Sequence, residues 1–318
     1  MRVVVALGGN ALLQRGQSPD ASVQEANVRR AVAALAPLAA EHELVVTHGN
    51  GPQVGVLALQ SASDPHLTTP YPFDVLGAQT QGMIGYWLLQ AMQNQLPGRQ
   101  VAAIINQTLV ESADPAFDNP TKFVGEMYDE RTARALAAER SWTVRPDGDG
   151  WRRVVGSPRP QRIVETRLIR LLLQSGAVVV CAGGGGVPVV RGELGELRGV
   201  EAVVDKDLAS AVLAEALDAD ALLVLTDVPA VMRGYGTAEA APIHRETPGG
   251  LRAIDFPAGS MGPKVDAVCR FVELTGGVAG IGALDDVQDM LAGRAGTIVT
   301  ASGFYDGPPA AGGARLRG

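Results

Sequence analysis

Short β-branched runs alternate with longer helical patterns along this chain, and that alternation restricts it to parallel α/β folds. Val3 to Leu7 precedes a helix near 21–41, and Leu44 to Thr47 precedes helices near 53–62 and 74–95. The rhythm resumes with Val101 to Ile105, a helix near 161–174, Ala177 to Ala182 and a helix near 207–217. Ala221 to Thr226, a helix near 263–275, Ala279 to Ile281, a helix near 285–292 and the strand Thr297 to Val299 complete it. The strands lack polar alternation, as strands covered on both faces do. At 318 residues the chain can build one large domain or two small ones around a substantial core.

Two stretches break the rhythm. Residues 114–160 carry Asp-Pro-Ala, Asn-Pro-Thr, a short Ala-rich helix near 129–139, and then Trp142, Trp151 and several Pro and Arg residues. They read as an inserted, lid-like subdomain over the edge of a domain spanning residues 1–301, a plain surface excursion being the other reading. The Gly-, Pro- and Ala-rich tail 302–318 reads as disordered.

Charge and cysteine content exclude several function classes. A net charge of −7 and a pI near 5.2 disfavour a general binder of nucleic acid or anionic membrane, so any anion site must be built locally. Cys181 and Cys269 lie in apolar settings without metal-ligand spacing, which argues against a disulfide framework or zinc site and for the reducing cytoplasm. No apolar run approaches the ~20 residues of a membrane span.

Three strands run directly into glycine loops: Gly8-Gly9-Asn10, His48-Gly49-Asn50-Gly51-Pro52, and Gly183-Gly184-Gly185-Gly186. In an open parallel sheet, ligands sit beyond the carboxyl ends of the strands, where these loops converge. Glycine permits close backbone approach and lets amide N–H groups face phosphate oxygens. Asn10 and Asn50 add neutral donors suited to a small carboxyl or carbamoyl group. His48 has no acidic or cysteine neighbours and reads as structural. The loop Thr226-Asp227-Val228-Pro229-Ala230-Val231 follows an apolar strand and suits a nucleotide base and ribose, with Tyr235 and Met261 as apolar walls; a simple strand-ending turn is the alternative.

Neither the P-loop nor the dinucleotide fingerprint is present, so phosphate charge must be met by other cations. Of 27 basic residues only Lys122, Lys206 and Lys264 are lysines, and each sits among Gly, Pro or Asp. Such positions call for a compact, rotatable ammonium where a planar guanidinium does not serve. Lys206 stands in Asp205-Lys206-Asp207 where a helix begins; one aspartate can cap the helix and a carboxylate can hold the ammonium in place and protonated. Lys264 follows Pro263 at the positive end of a helix, an unfavourable place by up to ~1 kcal/mol that makes sense if helix and lysine jointly face an anion, simple exposure to solvent being the other reading. Lys122 alone would be an ordinary loop lysine.

These motifs resemble those of the carbamate kinases, a branch of the amino-acid kinase family. The likeness rests on Val4–Leu12, His48–Gly55, Thr80–Trp87, Asn119–Lys122, Gly183–Pro188, Val200–Asp207 and Gly259–Lys264, and covers nearly the whole chain to about residue 300. Related kinases of acetylglutamate and aspartate usually carry a lysine where this chain has Asn10. The resemblance implies an open three-layer αβα sandwich around a mainly parallel, about eight-stranded sheet, with a small protruding subdomain and a homodimeric assembly. It implies reversible phosphoryl transfer between carbamoyl phosphate and MgADP, giving ATP and carbamate, with Mg2+ carried by the nucleotide and no protein metal site.

Carried over by motif, Lys206 and Lys264 would stabilise the transferring phosphoryl group and Asp207 would orient both. Gly8, Gly9, Asn10, Gly49, Asn50 and Gly51 would cradle phosphoryl and carbamate, with Lys122 reaching in from the lid. Glu126 departs from the pattern, since family members often have Pro there. A kinase of another small acid and a non-catalytic nucleotide or metabolite sensor remain as alternatives.

Overall fold

In the computed structural model, residues 1–14, 16–237, 239–256, 261–305 and 307–308 are described. One eight-stranded sheet runs in the order 245–246, 297–299, 278–283, 221–226, 2–7, 43–48, 178–180, 101–103, largely apolar through its middle and edged by the charged pair Arg245–Glu246. Every pairing in it is parallel except that between Val278–Ala283 and Thr297–Val299. The two-residue period of a strand divides the side chains between two cores. Val4 and Ala6 face the helices Thr166–Gln174, Lys206–Ala216 and Met261–Thr275, through Ile169, Leu213 and Phe271. Val3, Val5 and Leu7 face Ala21–Glu41, Phe73–Gln95 and Val287–Leu291, through Leu35, Leu88 and Met290. Val3 to Leu7 are wholly buried, which accounts for the unbroken apolar run: no position of this strand faces water. The layers are those of an open αβα sandwich.

The segment 114–160 has more order than its composition suggests. Lys122–Tyr128, Gly150–Val155 and Thr143–Asp147 form a three-stranded antiparallel sheet, with the helix Glu130–Arg140 alongside. Its strands are half-exposed and arginine-rich, so they carry no apolar run to betray them. Arginine planes packed on tryptophan replace part of the missing aliphatic core: Arg134 lies 4.6 Å from the Trp151 ring centroid and Arg140 5.0 Å from that of Trp142. A small cluster of Val54, Phe73, Leu76, Val124 and Val155 joins this lid to the body.

Three expectations need correction. The helix expected over 161–174 begins only at Thr166, because Pro160–Ile163 pairs antiparallel with Gln107–Val110 in a second sheet of four strands. The helix expected from Pro263 begins at Met261; proline is tolerated at its third position because the first four helical N–H groups have no intrahelical partner. Of the tail, Tyr305 packs against the second core and its hydroxyl donates to Leu291 O at 2.9 Å, while 306 and 309–318 lie outside the described residues, as do Gly259 and Ser260. Both cysteines are buried and unpaired, and burial raises both thiol pKa values, that of Cys269 to about 11. Among the described residues no helix is long and apolar enough to cross a membrane.

Candidate active site

The strands that feed the three glycine loops are neighbours, 2–7 beside 43–48 beside 178–180, and all point the same way. Their loops therefore open on one cleft of about 740 Å³, lined by Gly9, Gly49, Asn50, Gly51 and Gly184 and by all three lysines. The loops interlock. A Cβ on Gly49 would lie 3.0 Å from Gly9 N, and one on Gly184, at φ +62°, would lie 2.2 Å from Asn50 Nδ2. Asn50 Nδ2 donates to Thr80 Oγ1 at 2.8 Å, which fixes the amide at the edge of the cleft.

Lys206 and Lys264 converge on one carboxylate. Lys264 Nζ donates to Asp207 Oδ2 at 3.0 Å, and Lys206 Nζ donates to Asp207 Oδ1. The Asp207 side chain is 3% exposed, and those of Lys206 and Lys264 are 12% and 17% exposed. Burial alone would push the Asp207 carboxyl up; the Lys206 and Lys264 ammonium groups outweigh it and hold the group below its ordinary value. One charge shared by two cations leaves a net positive site with room for an anion.

Asp205, and not Asp207, caps the helix Lys206–Ala216, its Oδ1 accepting from Asp207 N at 2.9 Å and Leu208 N at 3.3 Å. That frees Asp207 for the lysines. The second oxygen of Asp205 accepts from Lys122 Nζ at 3.4 Å, so the lid lysine stands beside the other two. Asp205 is thus a site residue as well as the cap, where the sequence left open which of the two aspartates caps; its alternation with Lys206 and Asp207 was the available signal. Glu126 and Arg152 also line the cleft from the lid. Gly125 stands at φ +72° where the Lys122–Tyr128 strand bulges, and Arg152 Nε braces the bulge by donating to Gly125 O at 3.1 Å.

Other expected residues lie elsewhere. Gly8 and Gly183 support the cleft without lining it: a Cβ would lie 2.8 Å from Leu225 O at the first and 2.5 Å from the His48 ring at the second. Asn10 Nδ2 does not face the cleft but donates to Asp227 Oδ2 at 2.9 Å, because the end of the neighbouring strand brings that carboxylate beside it. Thr226 Oγ1 donates to Asp227 Oδ1 at 3.1 Å. Val231 cannot offer its side chain to a ligand, being fully buried in the core, and its amide donates to Thr297 Oγ1 at 2.8 Å. Tyr235 is 76% exposed, and Met261 leans on the core at the start of its helix; neither lines the cleft, whereas Pro263 does. His48 is structural as expected. It is buried, its Nδ1 donates to Gly49 O at 2.9 Å, and burial lowers its pKa to about 4.

Glycine loops facing an ammonium pair at the carboxyl edge of a parallel sheet, with no Ser, Thr or Cys among the described residues that line the cleft, define a phosphotransferase that works by positioning and charge neutralisation. The chain belongs to the amino acid kinase family, whose model matches residues 1–278. Within that family it aligns with carbamate kinases over almost its full length. It is 54% identical to carbamate kinase of Rhizobium meliloti, covering 95% of this chain and 94% of that one, and 48% identical to carbamate kinase of Haemophilus influenzae, covering 94% and 97%. Carbamate kinase from Giardia lamblia bound to AMP-PNP superposes with a TM-score of 0.88 at 40% identity, covering 94% of this chain and 98% of that one.

Proposed function

We propose that the protein catalyses reversible phosphoryl transfer between carbamoyl phosphate and MgADP, giving ATP and carbamate, which then decomposes to ammonia and carbon dioxide. The Lys206–Asp207–Lys264 clamp at the glycine-loop cleft carries this reading. As the bond from phosphorus to the carbamate oxygen breaks and that to the ADP β-phosphate oxygen forms, charge gathers on the transferring group. Lys206 and Lys264 meet it, Asp207 aims them, and the amides of Gly9 and Gly51 supply further donors, that of Gly49 being taken by Leu7 O at 3.0 Å. Asn50, neutral and fixed, suits the carbamoyl end, and Lys122 closes over it from the lid.

A nucleotide is proposed against Thr226, Asp227 and the start of the helix Met261–Thr275, at the carboxyl end of the strand Ala221–Thr226 next to the cleft strand Arg2–Leu7; that the Giardia lamblia relative is bound to AMP-PNP supports a nucleotide as ligand. Mg2+ would be held by the nucleotide's own phosphates and add charge neutralisation there; the two carboxylates beside the clamp, Asp205 and Asp207, are both taken by lysines. A homodimer is proposed from the edge of the sheet, where Tyr86 and Ile105 remain 55% and 57% exposed. A cytoplasmic setting agrees with two unpaired thiols.

The test is coupled ATP formation from carbamoyl phosphate and MgADP. Wild type turns over, and Lys206→Ala and Lys264→Ala each lose at least ~100-fold while remaining folded. ADP binding without ATP formation would replace this reading with a nucleotide sensor, and phosphorylation of a different small acid would replace the acceptor.

A further inference from the structure

Arg152 and Arg153 are adjacent on one lid strand, so they point to opposite faces. Arg152 faces the cleft. Arg153 faces the body, where its guanidinium sits 4.5 Å from the Trp142 ring centroid and 5.0 Å from that of Phe73. Trp142 belongs to the lid and Phe73 to the first turn of the body helix Phe73–Gln95. The guanidinium is thus held by an aromatic ring from each part, and its Nη2 donates to Glu201. Glu201 in turn accepts from Phe73 N at 2.9 Å through its other oxygen. Arg153 Nε is buried and without a partner, a cost that a plane stacked between two rings can offset and a point charge cannot.

Glu201 begins the segment that continues through Asp205 to Asp207. At one end of it the lid is attached by Arg153, in the middle by Lys122 on Asp205, and at the far end stands the ammonium clamp. The two attachments differ in kind. Lys122 to Asp205 is long, 3.4 Å, and its lysine is 41% exposed; the Arg153 side chain is 17% exposed between its two rings. An arriving anion can draw Lys122 off Asp205 without disturbing Arg153.

We propose that Arg153 is a positioning residue: locked between Phe73 and Trp142 and paired with Glu201, it sets the angle of the lid and so the reach of Lys122 over the acyl-phosphate end of the substrate. This rests on the reading that Lys122 touches that substrate. Misplacing a group by about 1 Å can cost on the order of 100-fold. Arg153→Ala is therefore expected to lower kcat/KM for carbamoyl phosphate by about 10- to 100-fold, with the KM for ADP changed less than about twofold. Arg153→Lys, which keeps the charge and loses the plane, does not rescue.

The decisive measurement is the cycle with Lys122→Ala. If Arg153 acts through Lys122, adding Arg153→Ala to Lys122→Ala costs less than about threefold more. Glu201→Gln breaks the same attachment from the body side while leaving an oxygen for Phe73 N, and it is expected to show the same split, so the test survives if Arg153→Ala does not fold. Equal losses from Arg153→Ala in both backgrounds, or wild-type kinetics in Arg153→Ala and Glu201→Gln, overturn the proposal. Wild-type kinetics in Lys122→Ala overturn instead the reading of Lys122.

Discussion

Asp207→Asn tests the clamp most directly, because it removes the one buried negative charge that two half-buried ammonium groups share. Breaking a buried ion pair by removing one partner costs about 3–5 kcal/mol, and here the charges left behind are of like sign. At roughly 2 °C per kcal/mol for a chain of this size, the Tm falls by about 6–10 °C. Inorganic phosphate can take the place of the lost carboxylate. At 100 times its Kd it restores about 2.7 kcal/mol, so the variant should gain more Tm from phosphate than wild type does. With the two lysines no longer aimed, kcat in coupled ATP formation falls on the order of 100-fold. The acid limb gives a further check. Because the folded carboxyl titrates below its ordinary 3.8, the stability it brings is present above that value and is lost as pH falls through the lower folded one. The variant lacks that loss. A Tm within about 2 °C of wild type together with kcat within about threefold would refute the shared-charge argument.

Two further outcomes follow from the supporting residues. Gly184→Ala places a methyl 2.2 Å from Asn50 Nδ2 at φ +62°, so Asn50 must leave Thr80; stability drops by about 1–3 kcal/mol and the KM for carbamoyl phosphate rises, as urea unfolding and initial rates would show, and an unchanged KM would separate Asn50 from the substrate. His48 is neutral when folded down to about pH 4, whereas the unfolded ring takes a proton near 6.5, so stability falls between those values by up to about 3 kcal/mol. His48→Asn, which can still donate to Gly49 O, should flatten that slope in urea unfolding measured from pH 4 to 7; an unaltered slope would assign the acid sensitivity elsewhere.

What was legible in the sequence is what is written locally. The central strands show because both faces of the sheet are covered, which leaves Val3 to Leu7 no polar position. The lysines show because Asp205, Lys206 and Asp207 are consecutive. The lid strands stayed hidden because their stability leans on arginine and tryptophan planes, which carry no hydrophobic period. Residues 161–163 read as helix because the partner strand of Pro160–Ile163, Gln107–Val110, lies some fifty residues earlier. Distance along the chain also explains the site errors. Asn10 meets Asp227 217 residues away, and Lys122 meets Asp205 83 residues away; neither pairing has a local trace.

Gly49 gives the scarcity of lysine a further meaning. A methyl on it would lie 3.3 Å from Lys206 Cδ and against the backbone of Gly9, so the lysine stem passes over bare main chain. That passage is a gauge: it admits a slim methylene chain and leaves little width for anything added on either side. Positions 49 and 206 are therefore bound to each other in any descendant of this chain. A side chain at 49 would displace the ammonium without touching it, and a bulkier cation at 206 would need a different floor, so the glycine guards the lysine's identity from 157 residues away.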